Sequence, residues 1–320
     1  MAGKIVVALG GNALQKQGEA SAHAQQDVAD ETARQLVPLI LAGYQLVIVH
    51  GNGPQVGNIV LHEEAINTPE VPTFPLDTCV AMSQGAIGFW LQQALIDEFS
   101  RRQMKSVAST VVTQMVVDAN DPAFSNPTKP IGVFYQTEAE ARQAANGRNF
   151  TFKEDAGRGW RRVVPSPKPQ RIVEEYTVKA MIDAGVTVIT GGGGGVPVVE
   201  TDNDGLEGVE AVIDKDFTAA VVADAIDAEA LVILTAVDGA MVDYGKPTAR
   251  AIGHTDRQEI QRYIDEGQFA PGSMLPKVQA ALKFVEKPGR RAIIASLERA
   301  AEALDGQIGT IIESYSDKRG

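Results

Sequence analysis

The 320-residue chain has a single cysteine, Cys79, which excludes an internal disulfide and a cysteine-based zinc site. Its four histidines, His23, His50, His62 and His254, are scattered without metal-ligand spacing, so no histidine-built metal centre is expected. No uninterrupted apolar stretch exceeds about eight residues, far short of the roughly 20 of a membrane-spanning helix. The N-terminus, Met1-Ala2-Gly3-Lys4 followed by an apolar run, is too short for a signal-peptide core and reads as a strand. Positive charge is also scarce: 29 Lys+Arg against 41 Asp+Glu give a net charge of −12. That balance argues against duplex nucleic acid or an anionic membrane as partner, because both reward Lys and Arg. A small anion stays open, since a local cluster of lysines and backbone N–H groups can oppose the global field. Two nucleotide-binding signatures are missing as well: the G-x-x-x-x-G-K-[ST] loop, and the G-x-G-x-x-G frame with its downstream ribose-binding acid. The expectation is a cytoplasmic protein that is neither a P-loop enzyme nor a dinucleotide dehydrogenase.

What the chain does have is repeated β-α alternation. The run Ile5-Val6-Val7-Ala8-Leu9 stops at Gly10-Gly11-Asn12, and Leu46-Val47-Ile48-Val49-His50 stops at Gly51-Asn52-Gly53-Pro54. Continuous apolar runs suit strands buried on both faces of a parallel sheet. A helical pattern through Val28, Ala29, Thr32, Leu36, Leu39 and Ile40, punctuated by Gly43, separates them. Helices are predicted over 54–65, 76–99, 171–184, 217–225 and 271–285, and strands over 107–112, 186–190, 209–213, 230–234 and 291–296, before a terminal helix. The pattern predicts a three-layer α/β fold whose ligand site lies beyond the carboxyl ends of the strands.

Residues 118–168 break the alternation. They hold six of the 18 aromatics and eight Lys/Arg against six acids, a local charge of about +2 in a chain of −12. A segment of this length with its own aromatics reads as a small inserted subdomain or lid within one domain, 1–320, or else as a surface insertion without a catalytic role.

Three glycine-rich turns follow apolar strands: Gly10-Gly11-Asn12, Gly51-Asn52-Gly53 and the five glycines 191–195. Such turns bring backbone N–H groups close to phosphates or carboxylates, and three of them suggest a convergent anion site. Phosphoryl transfer also needs cations at the transferred group. Lys215, in Asp214-Lys215-Asp216 between a strand and a helix, and Lys277, at a helix start where it opposes the dipole, are the candidates. Lys129, framed by Pro127 and Pro130 in the insertion, is a third. Asp214 and Asp216 could be acid/base groups, a magnesium site or orienters of the lysine. Orientation suits Asp216, whereas helix capping is the alternative for Asp214.

Together these residues resemble the carbamate kinases of the amino acid kinase family over essentially the whole chain. The matching stretches are Ala8-Leu9-Gly10-Gly11-Asn12-Ala13, His50-Gly51-Asn52-Gly53-Pro54-Gln55-Val56-Gly57, Ala81-Met82-Ser83-Gln84-Gly85, residues 212–217, Leu234-Thr235-Ala236-Val237-Asp238 and residues 271–278. The resemblance implies an αβα sandwich with an open, mainly parallel eight-stranded sheet, a protruding subdomain at 118–168 and a homodimer. It implies reversible, magnesium-dependent phosphoryl transfer between ATP and carbamate, giving ADP and carbamoyl phosphate, in arginine or purine-derived catabolism. Many relatives in the wider family carry a lysine in the first strand-turn, where this chain has Ala8; Lys215 would supply that charge. Leu275 stands where glycine or alanine often appears, beside the nucleotide site.

By the same resemblance the catalytic residues are Lys129, Lys215, Asp216 and Lys277. Gly10, Gly11, Asn12, Gly51, Asn52, Gly53 and Gln55 would bind the small substrate. Gly191, Gly192, Asp214, Lys215, Ala236, Val237, Asp238, Tyr244, Met274 and Lys277 would bind the nucleotide. No protein ligand is assigned to magnesium. The alternatives are a kinase of another small carboxylate on the same fold, or a catalytically inactive nucleotide-binding regulator.

Overall fold

The computed structural model describes residues 3–15, 19–145, 148–155, 157 and 159–314, with Asn12 described by its backbone alone. The main sheet has eight strands in the order His254–Asp256, Thr310–Glu313, Arg291–Ser296, Ala230–Thr235, Lys4–Leu9, Gln45–His50, Val186–Ile189, Val107–Thr110. The last six run parallel to one another. Thr310–Glu313 lies antiparallel to Arg291–Ser296, and His254–Asp256 runs with it.

Lys4–Leu9 sits near the middle of this sheet, and its side chains feed two layers in turn. Ile5, Val7 and Leu9 pack with the helices Ala22–Leu41 and Leu76–Arg101, while Val6 and Ala8 pack with Glu175–Asp183, Lys215–Ala225 and Met274–Phe284. Every position from Ile5 to Leu9 is buried, which is why the strand reads as an unbroken apolar run. The fold is therefore a three-layer αβα sandwich with an open, mainly parallel eight-stranded sheet. Among the described residues no helix is long and apolar enough to cross a membrane.

Several local expectations are corrected. Residues 169–172, expected in part as helix, form the strand Pro169–Ile172, and the helix starts only at Glu175. The run 209–213 is not a strand: Ala211, Val212 and Ile213 are buried by packing, and the neighbouring strand is the exposed Leu206–Gly208. Leu206–Gly208 belongs to a second, four-stranded sheet with Val196–Glu200, Gln114–Val117 and Pro169–Ile172. The helix expected from 271 starts at Met274, because Gly272 sits at φ +73° and Ser273 is outside helical geometry. The chain also continues past its terminal helix, Ala300–Leu304, into the strand Thr310–Glu313.

Within 118–168, Lys129–Tyr135, Trp160–Val164 and Thr151–Glu154 form a three-stranded antiparallel sheet, with the helix Glu138–Ala144 against it. Its aromatics explain themselves: Phe152, Tyr135, Phe150 and Trp160 gather with Ala141 and Ala145 into a small core, and Tyr135 meets Phe152 edge-on at 6.0 Å. Phe124 packs on the body instead. At the root, Ile131 and Val164 join Val56, Val60, Leu76, Cys79, Val80 and Val212. There the backbone of Gly132 lies so close to Gly57 that a Cβ on Gly57 would stand 2.0 Å from the Gly132 Cα.

Candidate active site

The first and fifth parallel strands in chain order, Lys4–Leu9 and Ala230–Thr235, both open at their carboxyl ends onto a cavity of about 400 Å³. Gly10, Gly11 and Ala13 form one wall, Leu234, Thr235 and Ala236 another, and Lys129, Lys215 and Lys277 converge on it from three separate elements. Gly10 is pinned by its N–H, which donates to Leu234 O at 3.1 Å; a Cβ there would stand 3.0 Å from that same oxygen.

Asp216 organises the lysines. It is 1% exposed, and its two oxygens accept from Lys215 Nζ at 3.1 Å and Lys277 Nζ at 2.8 Å. Local sequence places all three: Asp214 caps the helix Lys215–Ala225 by accepting from the Asp216 N–H at 2.9 Å, while Lys277 stands in the first turn of Met274–Phe284. The other Asp214 oxygen accepts from Lys129 Nζ at 2.6 Å, which ties the inserted sheet to the body across the cavity. The capping and charge-pairing alternatives for Asp214 are thus both realised, one on each oxygen.

The charges follow from these contacts. Burial pushes the Asp214 carboxyl up, but the Lys129 and Lys215 ammoniums prevail and hold it well below the usual carboxylate range. Burial pulls Lys215 down, yet Asp216 and Asp214 outweigh it and make its proton harder to remove than usual. Lys277 is lowered, by burial first and by the adjacent Lys215 ammonium second, with Asp216 offsetting part of this. Burial drives His50 down to about 4, against the opposing hydrogen bond to Gly51 O at 2.8 Å, so its imidazole is neutral near pH 7.

The second glycine turn stands behind the lysines. Gly51 touches Lys215, where a Cβ would come within 3.3 Å of the Lys215 Cδ. Asn52 is buried and donates to Ser83 Oγ at 2.9 Å, and Ser83 donates onward to Val80 O. Gly53 and Gln55 open the helix Gly53–Ile66, and the Gln55 amide is buried against Gln25. The Asn12 side chain lies outside the described residues.

Gly191 and Gly192 need correction as nucleotide contacts. Both are buried beneath the site: a Cβ on Gly192 would stand 2.4 Å from His50 Nε2, and one on Gly193 would stand 2.1 Å from Asn52 Nδ2. The run is glycine so that the turn can press against His50 and Asn52, with Thr113 Oγ1 accepting the Gly191 N–H at 2.6 Å. On the outer side Ala236 lines the cavity, whereas Val237 is exposed and Tyr244 is 75% exposed. Asp238 accepts from Ser296 Oγ at 2.6 Å and pairs with Arg299 at 3.4 Å; Met274 packs on the core. Sequence reasoning missed the cavity residues Leu297 and Glu298 after the strand Arg291–Ser296, and Gly272 and Ser273 as wall rather than helix. The signal for the first pair was available, because they follow the carboxyl end of a parallel strand.

Among the described residues no three His, Cys, Asp or Glu side chains stand together in a way that could hold a metal ion. Of the three carboxylates that line the cavity, Asp214 and Asp216 are already paired with lysines, and Glu298 is the third. The arrangement brings three lysine ammoniums to one cavity, where they can stabilise the charge of a phosphoryl group during transfer.

Comparison with known proteins finds relatives along nearly the whole chain. The amino acid kinase family model matches residues 3–296. Carbamate kinase 1 of Enterococcus faecium is 51% identical over 314 residues, 98% of this chain and 99% of that protein. The fold superposes on carbamate kinase from Giardia lamblia bound to citric acid with a TM-score of 0.91 at 41% identity, covering 97% of this chain and 98% of that one. The same enzyme bound to AMP-PNP gives a TM-score of 0.88 at 43% identity, with the same coverage.

Proposed function

This chain belongs to the amino acid kinase family, and from that membership we propose that it interconverts ATP plus carbamate with ADP plus carbamoyl phosphate. The observation that carries the proposal is Asp216 bridging Lys215 and Lys277 at the mouth of a cavity into which Lys129 also reaches. Charge spreads over the equatorial oxygens of a phosphoryl group in flight, and cations fixed in place stabilise that charge without reorganising. Asp216 keeps the two ammoniums in register, and the raised affinity of Lys215 for its proton keeps that charge in place. Carbamate is already ionised near pH 7, so the nucleophile needs no general base. Its binding falls to the Gly10-Gly11 and Gly51-Asn52-Gly53 turns, with Ala236, Val237, Asp238 and Tyr244 on the nucleotide side.

Among the described residues no cluster would hold a metal ion by itself, so magnesium would accompany the nucleotide phosphates. Lys129 enters from the inserted sheet, and we read that sheet as a lid that completes the site when docked. A homodimer is also part of the proposal. Met82, Phe89 and Ile96 recur every seven residues along the helix Leu76–Arg101 and are exposed, beside the edge strand Val107–Thr110 with exposed Val107. A second copy covering that stripe and edge would bury both. The setting is taken to be cytoplasmic, in arginine or purine-derived catabolism.

The test is ATP formation from ADP, magnesium and carbamoyl phosphate. Rapid turnover is the expected result. Folded, ADP-binding protein that makes no ATP from carbamoyl phosphate, but does so from another acyl phosphate, would move the assignment to a different small carboxylate.

A further inference from the structure

The stretch Ala81-Met82-Ser83-Gln84-Gly85 is shared with the carbamate kinases, yet no role in the site has fallen to it. It lies on the helix Leu76–Arg101, off the cavity wall, where Ser83 and Gln84 are 0% and 1% exposed. Polar side chains buried this deeply are held by the hydrogen bonds they make. Gln84 uses both ends of its amide on Thr113: the nitrogen donates to Thr113 O at 3.0 Å, and the oxygen accepts the Thr113 N–H at 3.0 Å. Thr113 in turn accepts the Gly191 N–H, so Gln84 supports the turn at 191–195. Ser83 supports the other glycine turn. Its hydroxyl proton goes to Val80 O at 2.6 Å, so toward Asn52 the oxygen can only accept, and it takes an Asn52 Nδ2 proton at 2.9 Å.

That bond competes with one the local sequence favours. Asn52 occupies the N-cap of the helix Gly53–Ile66, where an asparagine ordinarily turns its oxygen back onto an N–H of the first turn. Pro54 has no N–H, which leaves that of Gln55 as the target. The Asn52 side chain nevertheless makes no cap hydrogen bond. It reaches across to Ser83 on the neighbouring helix, and Gly193 closes it in, since a Cβ there would stand 2.1 Å from Asn52 Nδ2. Neither Ser83 nor Gly193 lines the cavity, yet together they fix the middle residue of a turn whose Gly51 lies against Lys215.

We infer that Ser83 is a positioning residue for the small substrate: it holds Asn52 off its own helix and so keeps the Gly51-Asn52-Gly53 turn open beside Lys215. The inference rests on the proposal that this turn binds carbamate and carbamoyl phosphate. Ser83 touches no substrate and acts through Asn52 alone. Without the Ser83 oxygen, the Asn52 amide loses its acceptor and turns to the unused cap at Gln55. The turn then tightens onto its helix, and the small substrate loses a partner. The nucleotide side, at Ala236 and beyond, keeps its shape.

The test is a double-mutant cycle of Ser83→Ala and Asn52→Ala, with kcat, KM for carbamoyl phosphate and KM for ADP measured in ATP formation. Ser83→Ala in the wild-type background should raise KM for carbamoyl phosphate about five- to tenfold, with KM for ADP within about twofold. In the Asn52→Ala background the same substitution should change KM for carbamoyl phosphate by less than about twofold, because the residue through which Ser83 acts is gone. Equal effects in the two backgrounds, or parallel rises in both KM values, overturn the inference and leave Ser83 a packing residue. If the Ala variant does not fold, Ser83→Cys, which keeps the shape and offers a weaker acceptor, decides instead. A KM for carbamoyl phosphate raised in Ser83→Cys supports the inference, and an unchanged one overturns it. Should Asn52→Ala bind carbamoyl phosphate as wild type does, the inference falls together with the assignment of this turn to the substrate. Wild-type protein that makes no ATP from carbamoyl phosphate fails the functional proposal itself, before any variant is compared.

Discussion

Two lysine–aspartate clusters meet at one cavity, and they are held in different ways. Lys215 and Lys277 meet on Asp216, with all three on helices packed against the main sheet and its large core. Lys129 meets Asp214 from a three-stranded sheet attached to the body by a small apolar root and by polar contacts at Glu64. The first pair is held by elements of one core, whereas the second depends on how the small sheet sits on the body. On the proposed reading, the core-held cations serve the transition state and Lys129, brought by the small sheet, serves capture of the phosphorylated substrate. The two halves of the site should then fail in different ways when damaged.

The largest expected effect is on the fixed half. Lys215→Ala should lower the rate of ATP formation by 10²–10³, roughly 2.7–4 kcal/mol of transition-state stabilisation. The fold should persist, since Asp216 keeps Lys277 at 2.8 Å, and circular dichroism can check this. Activity within about threefold of wild type would remove Lys215 from the chemistry.

Acid separates the halves next, through stability. His50 belongs to the body, beneath the second glycine turn, and its folded value of about 4 lies below the ordinary 6.5. Between those values the unfolded chain binds the proton and the folded chain does not. Stability is therefore complete above about pH 6.5 and falls as the pH drops toward 4, by up to about 3 kcal/mol. His50→Gln should flatten that limb of a urea-unfolding series by close to one proton. An unaltered slope would show that His50 is not the group responsible.

Lys129→Ala tests the delivered half. It should raise KM for carbamoyl phosphate about tenfold, a loss near 1.4 kcal/mol, with KM for ADP little changed. If ADP affinity alone suffers, the inserted sheet serves the nucleotide side and the contrast drawn above is wrong.

The sequence disclosed these halves unequally. Strands buried on both faces, such as Ile5-Val6-Val7-Ala8-Leu9, announce themselves as apolar runs, and the glycines that end them mark the site. Lys277 stood out because a cation at a helix start is locally unfavourable, and Lys215 because it stands between two aspartates at a strand-to-helix junction. By contrast the small sheets have short, half-exposed strands; Leu206–Gly208 is exposed throughout and leaves no pattern. The glycines at 191–195 misled for a physical reason: a turn pressed against His50 and Asn52 needs the same absence of Cβ as a turn that cradles phosphate. The Asp216 bridge joins residues 61 apart in the chain, and only the fold could bring Lys277 to it.

The smallest effect probes what holds the inserted sheet down. Glu64, 15% exposed on the helix Gly53–Ile66, pairs with Arg148 at 2.9 Å and Arg162 at 3.3 Å. Both guanidiniums also stand over the Phe150 ring, at 4.9 and 3.5 Å from its centroid. One carboxylate thus anchors the strand Trp160–Val164, through Arg162, and the connection before Thr151–Glu154, through Arg148. Glu64→Gln keeps an acceptor and removes the charge, while Phe150 still covers the arginines, so about 1 kcal/mol of docking should be lost. If docking delivers Lys129, that loss should appear as a rise of about fivefold in KM for carbamoyl phosphate, with kcat and KM for ADP nearly unchanged. Salt should mimic the variant in wild type, because the screening length near 1 M is about 3 Å, and should add little to the variant itself. A fall in kcat with KM untouched would mean that Glu64 shapes the fixed cations instead, and that the two halves are one rigid unit.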